Sequence, residues 1–399
     1  MFLGKLFWIS ILYFFSGVPF GFFYTFIPVF LRSQGVDLVQ IGLISGAGIF
    51  WSLKPLWAPL VDRYSLKIFW ISFSLLGMGI SILCLSFLSH EVKAFWYILF
   101  LLPFFSALYD TALDGFIIEY IPKDELGKAN GWRISAYRVA LVFSGGLLVT
   151  LSDYFSYKSL FFPLGLFLFA SSLFFFLKKE FRIKWSNKRN LGFLHQYLEP
   201  IKEILKYDKV YLILLFIATY KIGDALLGGM IYPFWVDKGF TKTEIGLISG
   251  TLGVIFTIIG SLIGGYYIKK IGIINSLLVM GSLQAVSNLG YAIVAHPNIN
   301  KGWVYLASIV ESFTGGLGTS AFLTFLTLLC KKDFSSTHYA LFSMLFSTTL
   351  VISRTVSGYG AKYMGYFLFF GITFFIAFLP LFLIPLIFKG ELQKKINEV

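Results

Sequence analysis

The sequence predicts an all-α integral membrane protein, with twelve transmembrane helices in two six-helix bundles around a central cavity. Three observations lead there. The 399 residues are 57% hydrophobic and only 13% charged, with a mean hydropathy of +0.79. Apolar runs near the ~20 residues that a helix needs to cross a bilayer core recur along the chain. The hexapeptide IGLISG occurs at residues 41–46 and again at 245–250, and Gly35 and Gly239 lie six residues before each copy. That offset of 204 residues, about half the chain, marks two homologous halves. Finally, Lys and Arg gather in alternate loops. With the N-terminus inside, inner segments hold 21 and outer segments 7, which puts both termini in the cytoplasm.

Taken in order, the predicted spans are 6–31, 40–61, 66–88, 94–121, 130–152, 158–177, 210–236, 244–268, 274–295, 303–329, 338–360 and 365–388. The first follows a single Lys and shows no small-residue cleavage pattern, so it reads as a span and not as a removable signal peptide. Lys54 falls inside the second span, and the loop after it reads APLVDRYSLK, with Asp62, Arg63 and Lys67. Trp8, Trp96, Trp235 and Trp303 fall near span ends, where an aromatic belt would place them.

The fourth span contains SALYDTALDGFIIE at residues 106–119. A carboxylate near the bilayer centre costs roughly 2.5–3.5 kcal/mol, so a chain that keeps Asp110, Asp114 and Glu119 there has a use for them. Asp110 and Asp114 are four apart and share one helix face, read here as a wall of the polar cavity. Depth along the helices lets Arg138 of the fifth span, or Lys54, meet these aspartates. Nearer the inner face, Glu119 and Arg133 match in depth as a structural rung.

Residues 178–209 form the linker, dividing the chain into a bundle at 1–177 and a second at 210–399. The linker holds nine Lys and Arg against four acids. Within it Leu194, Leu198, Ile201 and Leu205 follow helical spacing, as in a surface helix at the inner leaflet. In the second half, Lys221 and Asp224 are three apart and can pair with each other. Gln284 and Asn288 share a face of the ninth span. Glu311 and Arg354 both fall in the outer half of their spans. Gly42 with Gly46, and Gly246 with Gly250, read as packing contacts. Residues 315–318 (GGLG) read as close helix packing or a flexible point.

Buried ion pairs are rarely net stabilisers, so folding alone does not call for these charges. A carboxylate in a dry cavity gains proton affinity from desolvation and loses it when a cation approaches. Asp110, Asp114 and Asp224 are therefore the proton-coupling candidates. Lys54, Arg138, Lys221, Glu311 and Arg354 are candidates for charged groups of a substrate. Tyr109, Tyr137, Tyr220, Gln284 and Asn288 offer hydrogen bonds and ring faces suited to sugars or amides.

Several classes are excluded. Net charge +13 is a topology signal and not a nucleic-acid footprint. Cys84 and Cys330 are placed too far apart for a disulfide, and His90, His195, His296 and His338 show no metal spacing. There is no Walker A segment. No enzyme activity, cofactor or metal is expected.

Two parallel-related six-helix halves with charges between them form the pattern of a major facilitator transporter. The chain resembles the AmpG-type muropeptide permeases, in the group that also includes acetyl-coenzyme A transporters. The segments that carry the resemblance are SLKPLWAPLVDRY, YRVALVFSGG at 137–146, YKIGDA at 220–225, LQAVSNLGY at 283–291, ESFTGGLGTSAF at 311–322 and LCKKDFSSTHYALFS at 329–343. The resemblance implies proton-driven import of anhydro-muropeptides from periplasm to cytoplasm, for peptidoglycan recycling, by an inner-membrane monomer. Its partners would be the muropeptide, protons and the lipid bilayer. It carries roles to Lys54, Asp110, Asp114, Glu119, Tyr137, Arg138, Lys221, Asp224, Glu311 and Arg354. The loop with Asp62 and Arg63 would stabilise one closed state. This chain has Tyr109 where the family usually has Gln, Ile117 where a basic residue is frequent, and His338 where Gln is common. The alternative cargo is an acyl-coenzyme A, a lipid or a drug.

Overall fold

The computed structural model describes residues 2–34, 36, 46–63, 66–152, 154–181 and 193–388. Every regular element among them is helical. Nine helical tracts there are long and apolar enough to cross a membrane, including Gly4–Leu31, Lys67–Leu85, Lys93–Tyr120, Tyr157–Leu177, Val210–Asp237 and Gly302–Leu329. Each lies within a few residues of a predicted span. The first IGLISG copy, through residue 45, and Gly35 lie outside the described residues.

Two longer tracts hold two predicted spans each. Within Gly253–Ala295 the backbone leaves the helix at Gly272 (φ 76°, ψ 162°). Within Ser335–Phe378 it does so at Gly365 (φ 73°, ψ 160°). Counting these two as double gives eleven spans, and the short helical pieces within 46–63 stand where the remaining predicted span falls, so the described residues are consistent with twelve. This φ/ψ region is almost closed to residues with a Cβ, so glycine is what lets two helices join without a loop. Gly272→Ala is expected to cost about 1–3 kcal/mol, read as a lower melting temperature in detergent.

The bare outer faces suit lipid. On Tyr157–Leu177, Phe162, Leu166, Phe167, Leu173 and Phe174 are each at least 42% exposed, an apolar stripe too large for water. Trp303 is exposed, as an interfacial residue would be. Trp235 departs from the belt reading: it is buried in a core with Phe234 and Tyr291, its ring 5.3 Å from Tyr232. Gly246 and Gly250 depart from the packing reading, since an added Cβ would meet nothing within 4 Å at either. A π-helical turn, Leu247–Leu252, begins between them.

The chain forms two compact units. Unit 1 comprises Met1–Ile121, Ala136–Ile201 and Cys330–Leu341; unit 2 comprises Pro122–Ser135, Lys202–Leu329 and Phe342–Val399. In unit 2 the short borrowed segment is well fastened. Asn130 Nδ2 lies 3.4 Å from Thr324 Oγ1 and 3.3 Å from Thr327 Oγ1. Lys269 reaches Asp124 at 3.0 Å and Glu125 at 2.6 Å. The linker helix, Phe193–Leu205, is present. Its Leu198, Ile201 and Leu205 are exposed, as an apolar face lying on lipid requires.

Candidate functional site

In unit 1 the second predicted span is broken. Helix Ile49–Ser52 stops, a 3₁₀ turn spans Lys54–Leu56, and helix resumes at Ala58–Arg63. Pro55 explains the stop, because it lacks an N–H and its ring clashes with the preceding turn. The break aims Lys54 at Lys93–Tyr120. Its Nζ lies 3.4 Å from Asp110 Oδ2 and 3.8 Å from Asp114 Oδ2. Helix Phe2–Gly21 supplies hydroxyls to the far oxygens: Ser16 Oγ donates to Asp110 at 2.6 Å, and Tyr13 OH to Asp114 at 3.1 Å. Trp57 Nε1 donates to Thr111 at 3.1 Å and pins the break against Lys93–Tyr120.

Both aspartates therefore meet one lysine, and the partner is Lys54, not Arg138. Arg138 is exposed. Tyr137 beside it is half-buried, with its ring 6.1 Å from Phe20. Tyr109 is fully buried and its hydroxyl donates to the Leu12 carbonyl at 2.8 Å, which ties two helices together.

Unit 2 repeats the device with other parts. Lys221 sits between helices Val210–Thr219 and Ile222–Asp237, in non-helical backbone (φ −104°, ψ 10°). Its Nζ lies 3.3 Å from Asp224 and donates to Gln284 Oε1 at 2.5 Å. The Gln284 amide in turn donates to Asp224, closing a ring of three. Gly318 makes room for it, because a Cβ there would collide with Gln284 Oε1 and come within 3.4 Å of Lys221 Nζ. The GGLG cluster is thus a close-packing device. Gly318→Ala is expected to fold normally, since a flexible amide can swing away, but to lower transport several-fold. Uptake normalised to folded protein checks it.

The other candidates lie nearby or apart. Tyr220 stacks on Phe322 with centroids 5.2 Å apart, and its hydroxyl reaches the Leu277 carbonyl at 3.2 Å. Asn288 is fully buried, and neither amide atom has a hydrogen-bond partner among the described residues. Glu311 is half-buried, 3.4 Å from Ser312 Oγ, and Arg354 is exposed.

A third cluster, in unit 1, involves the loop carboxylate. Asp62 Oδ1 accepts from Lys67 Nζ at 2.8 Å and from the Ser336 N–H at 3.0 Å. Its Oδ2 accepts from the Thr337 N–H at 2.8 Å and its hydroxyl at 2.6 Å. Asp62 thereby caps the first turn of Ser335–Phe378, whose N–H groups have no partner inside the helix. Lys67 also reaches Glu119 at 3.1 Å, and Ser335 Oγ donates to Glu119 at 2.9 Å. Lys67 takes the place that depth alone gave to Arg133. Arg63 is exposed. Residues Ser16, Tyr13, Trp57 and Ser335 were not singled out in the sequence.

Membrane-length helices, broken where lysines meet carboxylates, are the build of a multi-pass membrane transporter. The chain matches the Major Facilitator Superfamily over residues 9–353, and it belongs to that superfamily. It is similar to "Putative transporter AmpG 4" of Rickettsia felis, 27% identical over 98% of this chain and 97% of that one. It is 28% identical to the anhydromuropeptide permease of Escherichia coli K12, over 89% of this chain and 74% of that one. Among solved structures, the E. coli fucose:proton symporter shares the fold, with a TM-score of 0.74 at 14% identity over 94% of this chain and 98% of that one.

Proposed function

We propose that this protein is a proton-coupled importer of anhydro-muropeptides in the bacterial cytoplasmic membrane, working by alternating access with both termini in the cytoplasm. The observation that carries the coupling is the seating of Lys54 between Asp110 and Asp114 at a helix break. One ammonium shared by two carboxylates leaves one carboxylate able to accept a proton whenever the lysine favours the other. Lys221, Asp224 and Gln284 form a second polar group of the same kind, suited to amide and carboxylate groups of a peptide. The cargo is supported by the relatives called muropeptide permeases, together with the two polar groups. The chain acts as a monomer built from homologous halves at 1–177 and 210–399.

Uptake into proteoliposomes tests this. Labelled anhydro-disaccharide-peptide is expected to accumulate only under an inward proton gradient, and sugar-only or peptide-only fragments should compete less well. Equal uptake with and without the gradient would remove proton coupling. Uptake of an acyl-coenzyme A in place of the muropeptide would remove the cargo.

A further inference from the structure

We propose that Tyr197, on the linker helix Phe193–Leu205, is a positioning residue for Lys54. This rests on the reading of Lys54 with Asp110 and Asp114 as the coupling group. The broken segment cannot satisfy its own backbone. The Leu56 N–H reaches Leu53 at 2.9 Å and the Trp57 N–H reaches Lys54 at 3.3 Å. The N–H groups of Leu60 and Val61 then both return to the Trp57 carbonyl, at 3.0 and 3.1 Å. In a regular helix Leu60 would serve Leu56 instead. The Leu56 carbonyl is therefore left to an outside donor, and the Tyr197 hydroxyl supplies it at 2.9 Å.

The turn is thus fixed at two points. Trp57 holds it to Thr111, one residue from Asp110. Tyr197 holds the carbonyl two residues beyond Lys54. The Leu56 side chain is 58% exposed and adds little packing of its own. The linker helix is itself anchored one turn further on, where the buried ring of His338 meets the Pro200 carbonyl at 3.2 Å. The cytoplasmic linker therefore acts as a strut under the turn that presents Lys54, and not only as a tether.

The test is Tyr197→Phe, which keeps the ring and removes the hydroxyl. The maximal uptake rate is expected to fall roughly 3- to 10-fold, the scale of one hydrogen bond, with KM changed less than about twofold. Amide hydrogen exchange over residues 56–61 should speed up by a similar factor, while the melting temperature stays the same. Tyr207→Phe removes a different linker hydroxyl bond, to the Leu329 carbonyl at 2.6 Å, and should leave exchange at 56–61 unchanged. A Tyr197→Phe protein with wild-type rate and wild-type exchange overturns the proposal. So does loosening at 56–61 caused equally by Tyr207→Phe. The exchange arm needs no cargo. If wild-type vesicles take up nothing, the transport reading fails while exchange still decides whether Tyr197 holds the turn.

Discussion

Asp110→Asn should cut gradient-driven accumulation of muropeptide by at least about tenfold, while leaving folded yield near normal. The amide keeps the volume and can still accept from Ser16, whose hydroxyl now sits 2.6 Å from Asp110. What it removes is the negative charge 3.4 Å from Lys54. Lys54 then has Asp114 alone, at 3.8 Å, and the choice between two carboxylates disappears. A tenfold loss corresponds to about 1.4 kcal/mol, modest beside the cost of stranding a buried charge, and here no charge is stranded. Downhill exchange of cargo across the membrane should survive, because it needs no net proton movement. The check is a pair of assays on one preparation, accumulation against a gradient and counterflow without one. Full accumulation by the variant would remove Asp110 from the coupling group.

Lys67→Met should be the most damaging single change to folding. Lys67 is 4% exposed and lies between Asp62 and Glu119. Methionine fills the space but leaves two buried carboxylates without their cation. Breaking a buried pair in this way costs about 3–5 kcal/mol, much of a typical domain's stability. Folded yield and melting temperature should collapse together. Glu119→Gln should lower yield less, because the amide still accepts from Ser335. Combining Lys67→Met with Glu119→Gln should recover part of the loss, since one of the two stranded charges is gone. Size-exclusion melting curves of the three variants decide it. A Lys67→Met protein as stable as wild type would show that water or lipid headgroups already compensate the cluster.

The helices were legible because the bilayer sets their length. Lys93–Tyr120 stands where 94–121 was predicted, and Gly302–Leu329 where 303–329 was. The charges worth attention were legible too, since each stood out against apolar neighbours. Their pairing was only partly legible. Depth along a helix gives the height of a charge but not its direction around the axis. It put Arg138 and Lys54 equally near Asp110, and only Pro55, by breaking the helix, turns Lys54 toward it. The Lys221–Asp224 pair could be read because both partners lie within one turn. The Asp62 cap on residues 336 and 337 could not, since its partners are more than 270 residues apart. Ser16 and Tyr13 gave no signal at all, because a hydroxyl inside an apolar run looks like any other small or aromatic filler.

The exchange of short segments between the units has a practical meaning for anyone cutting the gene in two. A fragment stopped at the linker would carry Asp62, Lys67 and Glu119 without the serines and threonine that occupy them. Its counterpart would hold Lys269 without Asp124 and Glu125. Each piece would expose a ready-made socket with its plug on the other piece. Co-expression from separate promoters, and not independent refolding, is the sensible route to a split version of this protein.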